Sequence, residues 1–84
     1  MKYSYRTSGV CAVGIKFEVE DNKVGSVEFI GGCDGNHKGL AALVKGMEVE
    51  EAIDRLTGIT CGHRSTSCPD QLAKALVSYK NNQL

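Results

Sequence analysis

Between Val13 and Ile30 the chain alternates. Val13, Ile15, Phe17 and Val19 are apolar, with Lys16, Glu18 and Glu20 between them, the period-2 signature of a half-buried strand. Asp21-Asn22-Lys23 interrupts the pattern, and Asp and Asn tolerate the left-handed backbone a tight turn needs. A return strand follows from Val24 to about Ile30, with Val27 and Phe29 on its inner face. Tyr3, Tyr5 and Thr7 alternate with Lys2, Ser4 and Arg6, which predicts a shorter first strand.

Beyond Gly31-Gly32-Cys33-Asp34-Gly35-Asn36 the period changes. Leu40, Leu43 and Val44 recur at helical spacing up to Gly46, a suitable residue just past a helix end. A second helix is predicted from Val49 to Leu56, with Val49, Ala52, Ile53 and Leu56 inward and Gly58 closing it. Glu48, Glu50 and Glu51 crowd its first turn, where the helix dipole favours negative charge. Thr60 to Thr66 reads as a polar loop. A last helix starts at Ser67-Cys68-Pro69-Asp70, with Ser67 or Cys68 as the cap and the proline near its first position. Leu72, Ala75, Leu76 and Tyr79 form its apolar stripe, and the last five residues are expected to fray. Strands followed by helices predict an α+β fold: a small antiparallel sheet of about three strands, then three helices packed on one face.

At 84 residues the chain holds one domain, residues 1–84. A core of this size supplies only about 3–5 kcal/mol, so small domains often add a metal, a disulfide or a partner subunit. Ten basic residues balance ten acidic ones, so no net field draws the protein to nucleic acid or to an anionic membrane. The first residues carry no apolar run of the signal-peptide kind, and no stretch approaches the ~20 apolar residues of a membrane span. The expected compartment is the cytoplasm. Reducing conditions there disfavour structural disulfides, so four cysteines in a short chain point to metal or redox chemistry.

Cys33 stands in a glycine-rich turn between strand and helix, Cys61 in a loop, and Cys68 at a helix start. Thiolates at helix N-termini are stabilised by the dipole and by free N–H groups, and the thiolate is the form a metal binds. Gly31, Gly32, Gly35 and Gly62 would let backbone approach a metal closely. The spacing is not that of a zinc finger, since Cys61 and Cys68 are separated by six residues. Buried thiols and a redox pair of Cys61 with Cys68 are the competing readings. Cys11 would share a face with Val13 and Ile15, so a core position competes with a ligand role for it. His63, two residues after Cys61, and His37, four after Cys33, are alternative ligands, because imidazole is a common zinc donor. The glycine-rich turn lacks the Lys-Ser/Thr ending of a phosphate loop. Arg64, Ser65 and Thr66 ahead of a helix fit an anion site and a polar capping loop equally well. No acid–base pair defines a reaction, so none is assigned to the chain by itself.

Thr66-Ser67-Cys68-Pro69-Asp70, together with Gly31-Gly32-Cys33 and Cys61-Gly62, closely resembles the small bacterial TSCPD-domain family over nearly the whole chain. Related domains end cobalamin-dependent ribonucleotide reductases, although a chain of this size cannot hold a reductase barrel. A more distant resemblance is to iron–sulfur scaffolds of the IscU/NifU type. Their order of hairpin, Gly-Cys turn, helix, "V-x-G-x-x-x-x-x-A" segment and cysteine-led last helix corresponds here to Val27 through Phe29, Gly32-Cys33, Val44-x-Gly46 to Ala52, and Cys68 ahead of Leu72 to Tyr79. That likeness implies an IscU/NifU-like fold in which Cys11, Cys33 and Cys68 meet. The scaffolds carry an aspartate where this chain has Val13 and a histidine where it has Ser67. With Cys61 as fourth ligand, four thiolates would close a tetrahedral site suited to structural zinc.

Three functions follow as expectations. The first is a non-catalytic zinc module with ligands Cys11, Cys33, Cys61 and Cys68 and a protein partner, such as a ribonucleotide reductase. The second is an iron–sulfur cluster carrier that delivers to an apo-protein acceptor. The third is a thiol-redox accessory of ribonucleoside-diphosphate reductase, with Cys61 and Cys68 as a reversible disulfide.

Overall fold

The computed structural model describes residues 1–9, 12–31, 34–60 and 66–84, with residues 34–36 described as backbone only. Three strands, β1 (Lys2–Arg6), β2 (Gly14–Glu20) and β3 (Lys23–Ile30), precede three helices, α1 (Asp34–Val44), α2 (Val49–Leu56) and α3 (Cys68–Lys80). The sheet is antiparallel in the order β1-β2-β3. The α+β fold expected from the sequence is therefore the one observed. No helix among the described residues is long and apolar enough to cross a membrane.

Asp21 and Asn22 join β2 to β3 with φ of 51° and 61°, the paired left-handed geometry that matches the twist of two-residue hairpins. The hairpin departs from simple alternation in one place. Phe17 lies opposite Val27 and Val19 opposite Val24, with a register shift between them. This bulge places an extra residue on β3, so Val24 and Val27 both point inward although three positions separate them. On the sheet's inner face Ile15, Phe17, Val19 and Val24 are buried, with Tyr3, Tyr5, Val27 and Phe29 packed against them. Lys2, Ser4, Lys16, Ser26 and Glu28 lie on the opposite, exposed face.

Val13 does not join that inner face. It is 66% exposed while Ala12 is 2% exposed, so Ala12, not Val13, carries the inward phase ahead of β2. The Thr7 hydroxyl donates to the Ala12 carbonyl at 2.6 Å, which fixes the turned-in backbone here.

The helices complete the core. Val49, Ala52 and Leu56 of α2 are buried, as are Leu72, Ala73, Ala75 and Leu76 of α3. Tyr3 bridges the layers, its ring centroid 5.5 Å from Phe17 and 5.0 Å from Tyr79. The start of α2 is held by backbone rather than by a side-chain cap. Val49 N–H donates to Asn22 O at 2.9 Å, and Val24 N–H to Met47 O at 2.8 Å. In α1 the expected stripe is shifted: Leu43 is 77% exposed, and the inward positions are His37, Leu40 and Val44. Those positions, spaced three and four apart, lie on one side of a helix, and one of them is polar.

Candidate metal centre

Ser67 caps α3, its hydroxyl accepting from Asp70 N–H at 3.2 Å and donating to Ile59 O at 2.6 Å. Cys68 is then the first helical residue and Pro69 the second, where a missing N–H costs nothing. Asp70 does not return to the cap as a reciprocal capping box would have it. Its carboxylate accepts from Gly58 N–H at 2.7 Å and from the Thr66 hydroxyl, and Lys74 Nζ lies 3.5 Å away. Buried Gln71 donates to Thr66 Oγ1 at 3.0 Å and accepts from Ser8 N–H at 3.1 Å. The hydrogen bond from Thr66, then that from Gly58, then Lys74, hold the Asp70 carboxyl below the usual carboxylate range against the opposing effect of burial.

These contacts give each neighbour of Cys68 in the motif a structural task. Thr66 and Asp70 join the end of α2 to the start of α3, and Gln71 joins both to the segment after β1. Space there is tight: a methyl built on Gly9, at φ +73°, would meet Thr66 Cγ2 at 3.0 Å. The result is a fixed helix start with a thiol in its first turn.

Cys68 Sγ lies 3.1 Å from His37 Nε2. His37 is buried at 7% exposure, and its ring stacks on Phe29 with centroids 4.3 Å apart and planes 21° from parallel. Three elements therefore build the pair: α3 supplies the sulfur, α1 the imidazole, and β3 the aromatic face that fixes the ring. A helix N-terminus and an adjacent imidazole are both surroundings that favour a thiolate.

Of the sequence-predicted ligands, Cys68 is placed as expected, at the head of the last helix. Cys11, Cys33 and Cys61 lie outside the described residues, as do His63, Gly32, Gly62, Arg64 and Ser65. Among the described residues no three His, Cys, Asp or Glu side chains gather in a form that could hold a metal. His37 was a secondary candidate on sequence. Its spacing of three to Leu40 and seven to Val44 is the signal for a buried histidine, one that an inward Leu43 would exclude. Thr66 and Asp70 fit a capping loop and a helix start on sequence, but their buried network with Gln71 has no local signal, because its partners Gly58 and Ser8 are remote in sequence.

The fold and this corner together define a small α+β domain that presents a thiol and an imidazole where three elements meet. The chain belongs to the TSCPD domain family, whose sequence model matches residues 1–80. No curated protein and no solved structure matches the chain significantly, and the likeness to IscU/NifU scaffolds is not shown.

Proposed function

We propose that this protein is a non-catalytic zinc module with Cys11, Cys33, Cys61 and Cys68 as its ligands, acting through contact with a protein partner. The observation that supports this most is the placement of Cys68. Ser67, Asp70 and Thr66 are committed to the scaffold, and the thiol they frame sits in the first turn of α3, where the anionic form a metal requires is favoured. The donor set supports zinc in particular. Soft thiolates select zinc or iron–sulfur clusters, and four of them close a tetrahedral site with no position left for substrate. Such an ion would supply folding energy to a chain whose core is small.

The family resemblance supports a reductase as the partner, since related domains are joined to cobalamin-dependent ribonucleotide reductases. A domain of this kind would dock on such an enzyme, in the cytoplasm.

The test is metal content by mass spectrometry on untagged protein purified without oxygen, repeated with a Cys→Ser variant at each of the four positions. One zinc per chain, lost in the Cys33, Cys61 and Cys68 variants and weakened or lost in the Cys11 variant, is the expected result. Iron with matching sulfide would replace zinc by cluster carriage. Absence of any metal, with all thiols titratable, would overturn both.

A further inference from the structure

We propose that the open edge of β1 docks an acidic, extended segment of a partner protein as a fourth strand, an inference that rests on the partner role above but not on the metal. Met1 and Val19 exchange both backbone bonds, the Met1 ammonium donating to Val19 O at 3.2 Å and Val19 N–H to Met1 O at 3.1 Å. Bonding alternates along an antiparallel pair, so Tyr3 and Tyr5, opposite Phe17 and Ile15, turn their backbone groups to β2. The amides and carbonyls of Lys2, Ser4 and Arg6 therefore point out of the sheet, and no partner takes them among the described residues. The other edge is already occupied. On β3, Val24 exchanges bonds with Gly46 and Met47, and His37 of α1 packs on Phe29. An open row of backbone donors and acceptors, such as β1 presents, is a template for an added strand.

Charge selects the occupant. Lys2 and Arg6 lie on the exposed face on either side of Ser4, and Lys16 stands opposite Ser4. None of the ion pairs among the described residues uses these three cations. Glu18, opposite Lys2, accepts from the Ser26 hydroxyl at 2.6 Å and so leans toward β3. A second copy is a poor fit. Antiparallel pairing centred on Ser4 would set Lys2 against Arg6 twice, and like charges directly opposite are destabilising. Carboxylates at those two places would instead complete opposite-charge pairs. On the inner face the added strand would lie beside Tyr3 and Tyr5, where Tyr3 and Tyr79 border a hollow of about 360 Å³. The segment that fits has acidic residues opposite Lys2 and Arg6 and apolar residues opposite Tyr3 and Tyr5.

The test is an amide-resolved NMR titration of the full chain with the blocked peptide TEVTVET, with TKVTVKT as the reversed-charge control. TEVTVET should shift the Lys2, Ser4 and Arg6 amides and slow their hydrogen exchange, and TKVTVKT should bind roughly tenfold more weakly or worse. Ser4→Pro removes one outward N–H without touching a bond to β2, and proline is tolerated on edge strands. It should weaken docking roughly tenfold with the folded spectrum and metal content unchanged. Arg6→Glu, opposite Gly14, should weaken TEVTVET binding roughly three- to tenfold. Equal binding of both peptides, or no response of the β1 amides to either, would overturn the proposal. So would a wild-type dimer with the Ser4 amide already protected, which would give the edge to a second copy. Metal analysis of the same samples keeps the two readings apart. Docking by a zinc-free wild type would support the edge and overturn only the metal centre, whereas zinc without docking would overturn only the edge.

Discussion

The two sides of the α3 N-terminus are built from polar residues with opposite consequences. On one side Thr66, Asp70 and Gln71 exchange hydrogen bonds with each other, with Gly58 N–H and with Ser8 N–H. No buried side-chain nitrogen or oxygen among the described residues is left without a partner. Hard oxygen and nitrogen groups of this kind hold loops together and have little left to offer a ligand. On the other side Cys68 meets His37 against Phe29, and both atoms in contact are donors that a transition metal can use. One sequence motif serves both sides, because successive residues in the first turn of a helix point in different directions. Polar character alone does not mark a functional site; the softness of the donors distinguishes these two sides.

The largest expected effect removes the support common to both. Leu72 is fully buried in the core one helical turn after Cys68, and Leu72→Ala should cost about 2–5 kcal/mol, read as a lowered urea midpoint with and without zinc. Asp70→Ala strikes the structural side only. It leaves Gly58 N–H and the Thr66 hydroxyl without their acceptor, at a cost of about 1–3 kcal/mol. A double-mutant cycle with Thr66→Val should show that most of the loss is shared between the two residues. If Asp70→Ala costs nothing, the contrast between the two sides fails.

Acid should act through the same carboxylate. Because native surroundings hold the Asp70 proton affinity below that of an unfolded chain, the unfolded state binds the proton more tightly. Its contribution is complete above the unfolded value of about 3.9 and is lost as pH falls through the lower native value. Unfolding free energy of the metal-free protein should therefore decline with acidification, and Asp70→Asn should flatten that decline. Some slope should persist, since the Ser26 hydroxyl and the Asn22 amide hold Glu18 and Glu50 below their usual range as well.

Smaller effects sharpen the contrast. Ser67→Ala should cost about 1 kcal/mol through loss of the cap, measured by the same denaturation series. Cys68→Ser should change the metal-free protein by no more than about 0.5 kcal/mol while abolishing tight zinc binding. A large destabilisation by Cys68→Ser in EDTA would assign the thiol to the scaffold instead.

Much of the fold was legible locally. The hairpin and its Asp21-Asn22 turn follow from alternation and from residues that accept left-handed dihedrals. Helix α2 runs from Val49 to Leu56 as its spacing requires, and Gly46 and Gly58 adopt φ of +85° beyond their helices. Local pattern and structure part where tertiary packing chooses between similar local options. Val13 and Leu43 are apolar at plausible positions, yet the turned-in Ala12 and the His37 stripe displace them. The bulge between β2 and β3 shows in the sequence only as the odd spacing of Val24 and Val27, which uniform alternation cannot place on one face.

The candidate site divides the same way. The sequence determined that a cysteine heads the last helix, since Ser67, Pro69 and Asp70 are local start signals that act within a few residues of one another. It determined the family too, through the motif and its companions. Only the tertiary structure decided which histidine stands beside Cys68, and why the motif's other residues are polar. His37 and Cys68 are 31 positions apart, and Ser8 and Gln71 are 63 apart. Hydrophobic burial against a shared sheet brings such pairs together, and side-chain periodicity along one element carries no information about a neighbour on another.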